Sequence, residues 1–294
     1  MELAPQCYEC LQRLIRQAAE FATDDRLLRE KAIGAAAAIL KNEFFHSRLS
    51  LTIAANIHKA VKEVTGNPDP YRAMKEREMM LAGELYRELS WRVEAGLSVD
   101  GGERSDYHRD YLRSHLELAA AANSIDFFRE LSVVREDIRK PVTFAIDHSE
   151  CLLPKLREAD TVLYLADNAG EIYFDLALLK RMREFAHVVY VVKPESVQDD
   201  ITLDDVRESG LEGEFGEVIS TGIASPGVVF ALASPQFKSA FRSADLVFAK
   251  GMGHYESLSE LTAEGRFFHC LKAKCEPVAR SIGVPLNSYV AMLR

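Results

Sequence analysis

Apolar residues recur at intervals of three and four through the first half of the chain, as in Leu11, Leu14, Ile15 and Ala18, with similar stripes from Ile53 to Val64 and from Leu81 to Val93. That spacing places apolar side chains on one face of an α-helix, so this half is expected to be helical. Gly66-Asn67-Pro68-Asp69-Pro70 punctuates it. The glycine suits a helix C-terminus, and Asp69 can cap a following helix with Pro70 in its first turn. Gly101-Gly102 marks a second break.

After about residue 140 the period changes. Short apolar runs, each followed by a helix-like stretch, cover Thr161-Val-Leu-Tyr-Leu-Ala166, His187-Val-Val-Tyr-Val-Val192, Glu217-Val-Ile-Ser220 and Asp245-Leu-Val-Phe-Ala249. Uninterrupted apolar strands alternating with helices imply a mostly parallel sheet covered on both faces. The expected fold is therefore α/β, with a helical region over residues 1–140 packing on a core over residues 141–294. In such sheets ligands bind beyond the carboxyl ends of the strands, so the residues just after each run are the candidates for chemistry.

Composition narrows the class. The chain has 294 residues, 48% hydrophobic and 28% charged, enough for a substantial core. A formal net charge of -9 argues against nucleic acid or a membrane surface as partner, since anions would be repelled on average. No apolar run is long enough to span a bilayer, and the N-terminus lacks a basic stretch followed by an apolar one. A cytoplasmic protein is expected, with the five cysteines mostly free thiols.

The first run ends in Asp167-Asn168-Ala169-Gly170-Glu171. A carboxylate beside an amide oxygen offers hard ligands for a cation such as magnesium or manganese, and Gly170 lets a phosphate approach the backbone at the helix start. The plainer alternative is that either residue simply caps the helix expected near Ile172. The second run leads to Asp199, Asp200 and Thr202; Asp200 would complete a metal triad with Asp167 and Asn168 if neighbouring strands lie roughly 5 Å apart. Here too an acid capping the helix near Leu203 is the alternative. The fourth run leads to Lys250-Gly251-Met252-Gly253-His254, where glycines free the backbone and Lys250 or His254 can meet a phosphate. Lys272 is a further cation in an apolar segment, where a lysine snorkelling to the surface is the plainer reading. Cys7-x-x-Cys10 has the spacing of half a zinc site or a redox pair, or of two buried thiols on one helix face.

Seven segments in order, Cys7-Tyr-Glu-Cys10, Gly66-Asn-Pro-Asp-Pro-Tyr71, Ala122-Asn-Ser-Ile-Asp126, Asp167-Asn-Ala-Gly-Glu171, Asp199-Asp-Ile-Thr202, Ala249-Lys-Gly-Met-Gly253 and Leu271-Lys-Ala-Lys-Cys275, resemble the damage-control phosphatase family. This ARMT-like family was once called domain of unknown function 89, and the likeness is to its prokaryotic branch with an N-terminal C-x-x-C. The resemblance spans nearly the whole chain. It implies a three-layer α/β/α sandwich with an associated helical region, and a metal-dependent phosphatase acting on damaged or surplus sugar phosphates or phosphorylated cofactors.

By that resemblance Asp167, Asn168 and Asp200 hold manganese, cobalt, nickel or magnesium and carry the catalysis. Glu171, Asn123, Asp126, Lys250, Gly251, Gly253, His254 and Lys272 would bind substrate. The attack would come from a water activated by the metal or a carboxylate, or from Asp167 itself through an aspartyl-phosphate. The partner is a small phosphorylated metabolite, with a homo-oligomer left open. Asp199 and His254 stand where relatives usually carry Asn, and Ala122 replaces a common Gly, which bears on substrate preference. The competing functions are a carboxyl methyltransferase using S-adenosylmethionine and a thiol-based metal or redox module on Cys7 and Cys10.

Overall fold

In the computed structural model, residues 3–45, 49–95, 104–125 and 130–294 are described; the Gly101-Gly102 break and Asp126 lie outside them. Before Phe144 the described residues form helices α1 (Gln6–Ala22), α2 (Arg26–Glu43), α3 (Ser50–Thr65), α4 (Arg72–Ala95), α5 (Arg104–Ala122) and α6 (Leu131–Ile138). Local chemistry sets their ends: the Asp25 side chain accepts from Leu27 N and Leu28 N to start α2, and Gly66 closes α3 in the left-handed conformation at φ 70°. Asp69 accepts from Tyr71 N one residue ahead of α4.

The sheet is built from β1 (Phe144–Asp147), β2 (Thr161–Leu165), β3 (His187–Val192), β4 (Val218–Ser220), β5 (Leu246–Lys250), β6 (Phe267–Lys272) and β7 (Tyr289–Leu293). Its order is β1-β7-β6-β5-β2-β3-β4, parallel except for the antiparallel pair β6 and β7. The four apolar runs become β2 to β5; β1, β6 and β7 extend the sheet on the other side of β5. The connecting helices are α7 (Leu152–Glu158), α8 (Ile172–Met182), α9 (Leu203–Glu208), α10 (Glu212–Phe215), α11 (Pro235–Ser243), α12 (Gly251–Leu258) and α13 (Glu276–Ile282).

Both faces of the sheet are covered, which is why its central strands read as continuous apolar runs. Val162 and Tyr164 point into one core with α5, α7 and α8, whereas Leu163 and Leu165 point into the other with α11. Rings stack across the first core: Tyr164 on Phe248 at 4.8 Å and Phe248 on Phe268 at 5.5 Å between centroids. Helices α1 to α3 bury a separate cluster around Leu14, Ile57 and Tyr71. Polar clasps hold that cluster against the strand ends. Ser50 Oγ donates to Glu256 Oε2 (2.6 Å), Lys62 Nζ to Glu195 Oε2 (2.7 Å), and Lys75 bridges Asp69 (2.9 Å) and Asp205 (2.8 Å).

Phe237 of α11 is fully buried among the rings of Phe230 and Phe241. Phe237→Ala should cost about 3–5 kcal/mol in a denaturant titration. Replacing the exposed Leu27 with Ala should stay within about 0.5 kcal/mol. Equal effects would mean that the α11 face is not a core layer.

Candidate active site

Ala166 N donates to Val191 O (3.0 Å), so the pairing of β2 with β3 continues to the last apolar residue of the run. The chain then pairs with the loop that follows β3. Ile201 N donates to Asp167 O (2.9 Å), Ala169 N donates to Asp199 O (2.8 Å), and Asn168 and Asp200 face each other across an antiparallel bridge. Backbone hydrogen bonds thus bring Asp167, Asn168 and Asp200 to one place. Asn168 also forms a capping box with Glu171 at the turn leading into α8, so the capping role and the site role coincide. Its Nδ2 donates to Ile125 O (3.0 Å), which leaves Oδ1 as the amide atom suited to a cation.

The three residues line a cleft of about 660 Å³. Helices α1 and α3 form its roof through Cys7, Leu11, Leu14 and Leu51, and Pro226, Gly253 and Lys274 enter from the ends of other strands. The buried carboxyls at and beneath the cleft include Asp167, Glu171, Asp175 and Asp200, and the buried ammonium groups include Lys193 and Lys250. Asp175 accepts from Lys250 Nζ (2.8 Å), Tyr164 OH (2.7 Å) and Tyr190 OH (3.2 Å). Lys250 also pairs with Glu171 and donates to Ala119 O (3.0 Å). Burial alone would lower the Lys250 pKa, but Asp175 and Glu171 outweigh it and hold the amine charged.

Asp200 has Lys193 at 3.4 Å, yet its Oδ2 accepts no hydrogen bond. Burial pushes its pKa up to about 6 against the pull of Lys193. Asp167 accepts one hydrogen bond from Asn123 Nδ2 (3.0 Å); burial, with Glu171 and Asp200 nearby, pushes its pKa up to about 8. Two carboxyls of this cluster are therefore short of positive charge.

Several residues expected to bind substrate are buried, with hydrogen-bond or ion-pair partners within the protein. Asn123 donates to Asp167 and to Glu171 (2.7 Å) and accepts from Lys272 N (3.0 Å), joining the helical region to β6. Glu171 is fully buried between Asn123 and Lys250. Lys250, fully buried in its ion pairs, does not line the cleft. His254 is 1% exposed: Nδ1 pairs with Lys250 O (2.8 Å), so Nε2 faces Lys193 Nζ (3.4 Å) as acceptor. Burial, and then Lys193, push its pKa well below the ordinary value, so the ring is neutral. Lys272 Nζ donates to Ser124 Oγ (3.1 Å) and lies 4.9 Å from the Tyr289 ring centroid; Lys274, two residues on, is the lysine that lines the cleft.

Gly251 has φ 73°, and a Cβ there would sit on the Asp167 carboxylate; Gly253 abuts Gly227, where a Cβ would strike the Gly253 carbonyl. Cys7 is half-buried and Cys10 exposed, not a buried pair; both line the cleft, and all five cysteines are free.

Lys193, Lys274 and Asp175 escaped the sequence reading. Lys193 follows β3 directly and lay within reach of the strand-end rule that found Asp167. Lys193 Nζ also donates to Gly227 O (2.6 Å), tying three strand-end loops together. The choice of lysine in Leu271-Lys-Ala-Lys-Cys275 carried no local signal, and neither did Asp175, whose partners are remote in sequence.

Among the described residues, no three or more His, Cys, Asp or Glu side chains form a ready-made metal-holding group. The strand-end set is two carboxylates and one amide. Its donors are all hard oxygens, Asp200 Oδ2 lacks a hydrogen-bond donor, and the Gly251 backbone abuts the Asp167 carboxylate and restricts its movement. That donor set and its charge deficit suit an oxygen-seeking divalent cation that keeps part of its water shell.

Fold and cleft together define an open α/β protein with an acidic strand-end site roofed by helices. The model of the damage-control phosphatase ARMT1-like domain matches residues 3–290, and the chain belongs to that family. It is 32% identical to a damage-control phosphatase of Pyrococcus horikoshii, covering 99% of this chain and 98% of that one. A damage-control phosphatase of Archaeoglobus fulgidus is 30% identical, covering 99% of each. The crystal structure of a domain of unknown function 89 family protein from P. horikoshii superposes with a TM-score of 0.81 at 30% identity, covering 100% of this chain and 99% of that one.

The Asp167 pKa is raised from the ordinary 3.8 to about 8, so the folded protein holds a proton that the unfolded chain releases. Stability from this group is complete below pH 3.8 and is lost as pH rises through 8. In chelator-containing buffer the melting temperature should fall by several degrees between pH 5.5 and 8.5, and Asp167→Asn should flatten that slope. An unchanged slope in the variant would refute the assignment. Gly251→Ala should disturb Asp167 directly, weakening binding of added manganese by calorimetry at least tenfold while the far-UV spectrum stays native. Unaltered binding would show that the carboxylate has room to move aside.

Proposed function

We propose that the chain is a phosphatase of small phosphorylated metabolites that works with a divalent cation held by Asp167, Asn168 and Asp200. The observation that carries this reading is the backbone bridge setting Asn168 opposite Asp200 on the cleft floor, with Asp167 beside them. The names of the full-length relatives support it. Manganese, cobalt, nickel and magnesium are the cations to which such a set is suited.

When bound, the cation supplies charge neutralisation at the phosphoryl group and Lewis acidity toward phosphorus and water. The chain's own residues do the rest. Asn123 fixes the Asp167 carboxylate, and Lys193 holds Asp200 in place. Gly253 lines the cleft, and its missing side chain lets the Gly227 loop pack directly beside it. Lys274 brings positive charge to the Asp167 side of the cleft, where it can stabilise charge developing on the oxygens as the ester bond breaks. The roof of α1 and α3 covers one side of the cleft with Leu11, Leu14 and Leu51, and that apolar cover strengthens each of these interactions.

Phosphate release should be assayed with each of the four cations against sugar phosphates, phosphorylated cofactors and nucleotides. Activity should require a cation, and Asp167→Ala or Asp200→Asn should each lower kcat/KM by on the order of a hundredfold or more. A blank panel with the wild-type protein, or full activity in Asp167→Ala, would overturn the proposal.

A further inference from the structure

Resting on the phosphatase reading, we infer that the substrate is a phosphomonoester with an apolar body larger than a hexose, seated against the α1 and α3 roof. The cleft is strongly two-sided. Its floor is acidic, as described, whereas the α1 and α3 side presents Leu11 and Leu14 of α1 and Leu51 and Ala54 of α3, with Met252 beside them; the half-buried polar lining residues are Ser50, Gln198, Glu256 and Lys274. Leu286 extends this wall at the mouth, 43% exposed, a large apolar side chain in water beside the cleft.

Cys7 and Cys275 line the same wall half-buried, and burial pushes both thiols up, Cys275 to about 12, so they are neutral and behave as small hydrophobes. The polar groups of α1 that line the cleft, Gln6, Glu9, Gln12, Arg13 and Arg16, are exposed at its outer rim. Inside, Ser50 donates its hydroxyl to Glu256 (2.6 Å), and the two occupy each other.

A sugar ring on that wall would give up water at each hydroxyl for groups that neither donate nor accept, an unfavourable exchange. An alkyl, isoprenoid or aromatic body would release water from both surfaces instead. Size agrees: about 660 Å³ lies in the range of pockets that enclose a drug-sized ligand, roughly 300–1,000 Å³, with room beyond a phosphate and one ring.

The test is a chain-length series of ethyl, butyl, hexyl and octyl phosphate compared with glucose 6-phosphate, all esters of primary alcohols. The holoprotein should be assayed with manganese for hydrolysis and, separately, by calorimetry for binding. The expected result is a rise in kcat/KM of roughly three- to fourfold per methylene until the wall is filled, expressed in KM. Hexyl phosphate should exceed glucose 6-phosphate at least tenfold. Leu286→Glu should flatten the long end of the series. Hydrolysis with a flat series, or with glucose 6-phosphate preferred, would overturn the inference and leave the phosphatase reading standing. Affinity that rises with chain length without any hydrolysis would overturn the phosphatase reading, and with it the occupant's being a substrate, while leaving the apolar wall as a binding surface.

Discussion

Everything around the cleft answers to one constraint: a cluster of carboxyls, Asp167, Glu171, Asp175 and Asp200 among them, is buried at one end of a parallel sheet beside the ammonium groups of Lys193 and Lys250. Buried charge is tolerable only where it is paired and hydrogen-bonded. Asp175 meets that condition fully, with Lys250 and two tyrosine hydroxyls, and Glu171 meets it with Lys250 and Asn123. The deficit falls on Asp200 and Asp167. Asp200 has one cation at 3.4 Å, and Asp167 has the Asn123 amide. These two border the open cleft, so the shortage of positive charge is located where an external cation can reach it.

Such an arrangement persists only because the backbone leaves the carboxylates no escape. Asp167 is fixed by the sheet on one side and the Ile201 hydrogen bond on the other, and Gly251 packs its Cα against the carboxylate. The ammonium of Lys193 reaches from the end of β3 to the Gly227 carbonyl and to His254, while the neutral imidazole reaches back to the Lys250 carbonyl. The loops after three strands are thus cross-linked by hydrogen bonds that never enter the cleft. Pre-organisation of this kind is what lets a site hold its geometry before a ligand arrives.

This division between cleft and support also explains what was legible in the sequence. The apolar runs gave β2 to β5 because strands buried on both faces carry no polar alternation, and their ends located Asp167, Asn168 and Asp200. Strand β6 was hidden by His269 and Lys272, and β1 and β7 by their partial burial. Depth was the other blind spot. Lys250 ends a strand, as a phosphate ligand would, but its stem carries the ammonium under the sheet to Asp175, 75 residues away. Nothing local distinguishes that fate from a cation facing the cleft, and the same holds for Lys272 and Lys274.

Two parts of the fold, the strand ends and the helical roof, meet on the loop between β3 and α9. One end is sewn to Asp167 and Ala169 by backbone hydrogen bonds. The other is gripped by the helical roof: Lys62 holds Glu195 and the Ser196 carbonyl, and the Ser196 hydroxyl donates to Asp69. The roof cluster of α1 to α3 is apolar within itself, so these polar clasps, with Ser50 on Glu256, set its distance from the floor. A displacement of the roof would therefore pull on the segment that carries Asp200. Wall and metal anchor are coupled through one loop, which ties the fit of a substrate body to the placement of the carboxylate beneath it.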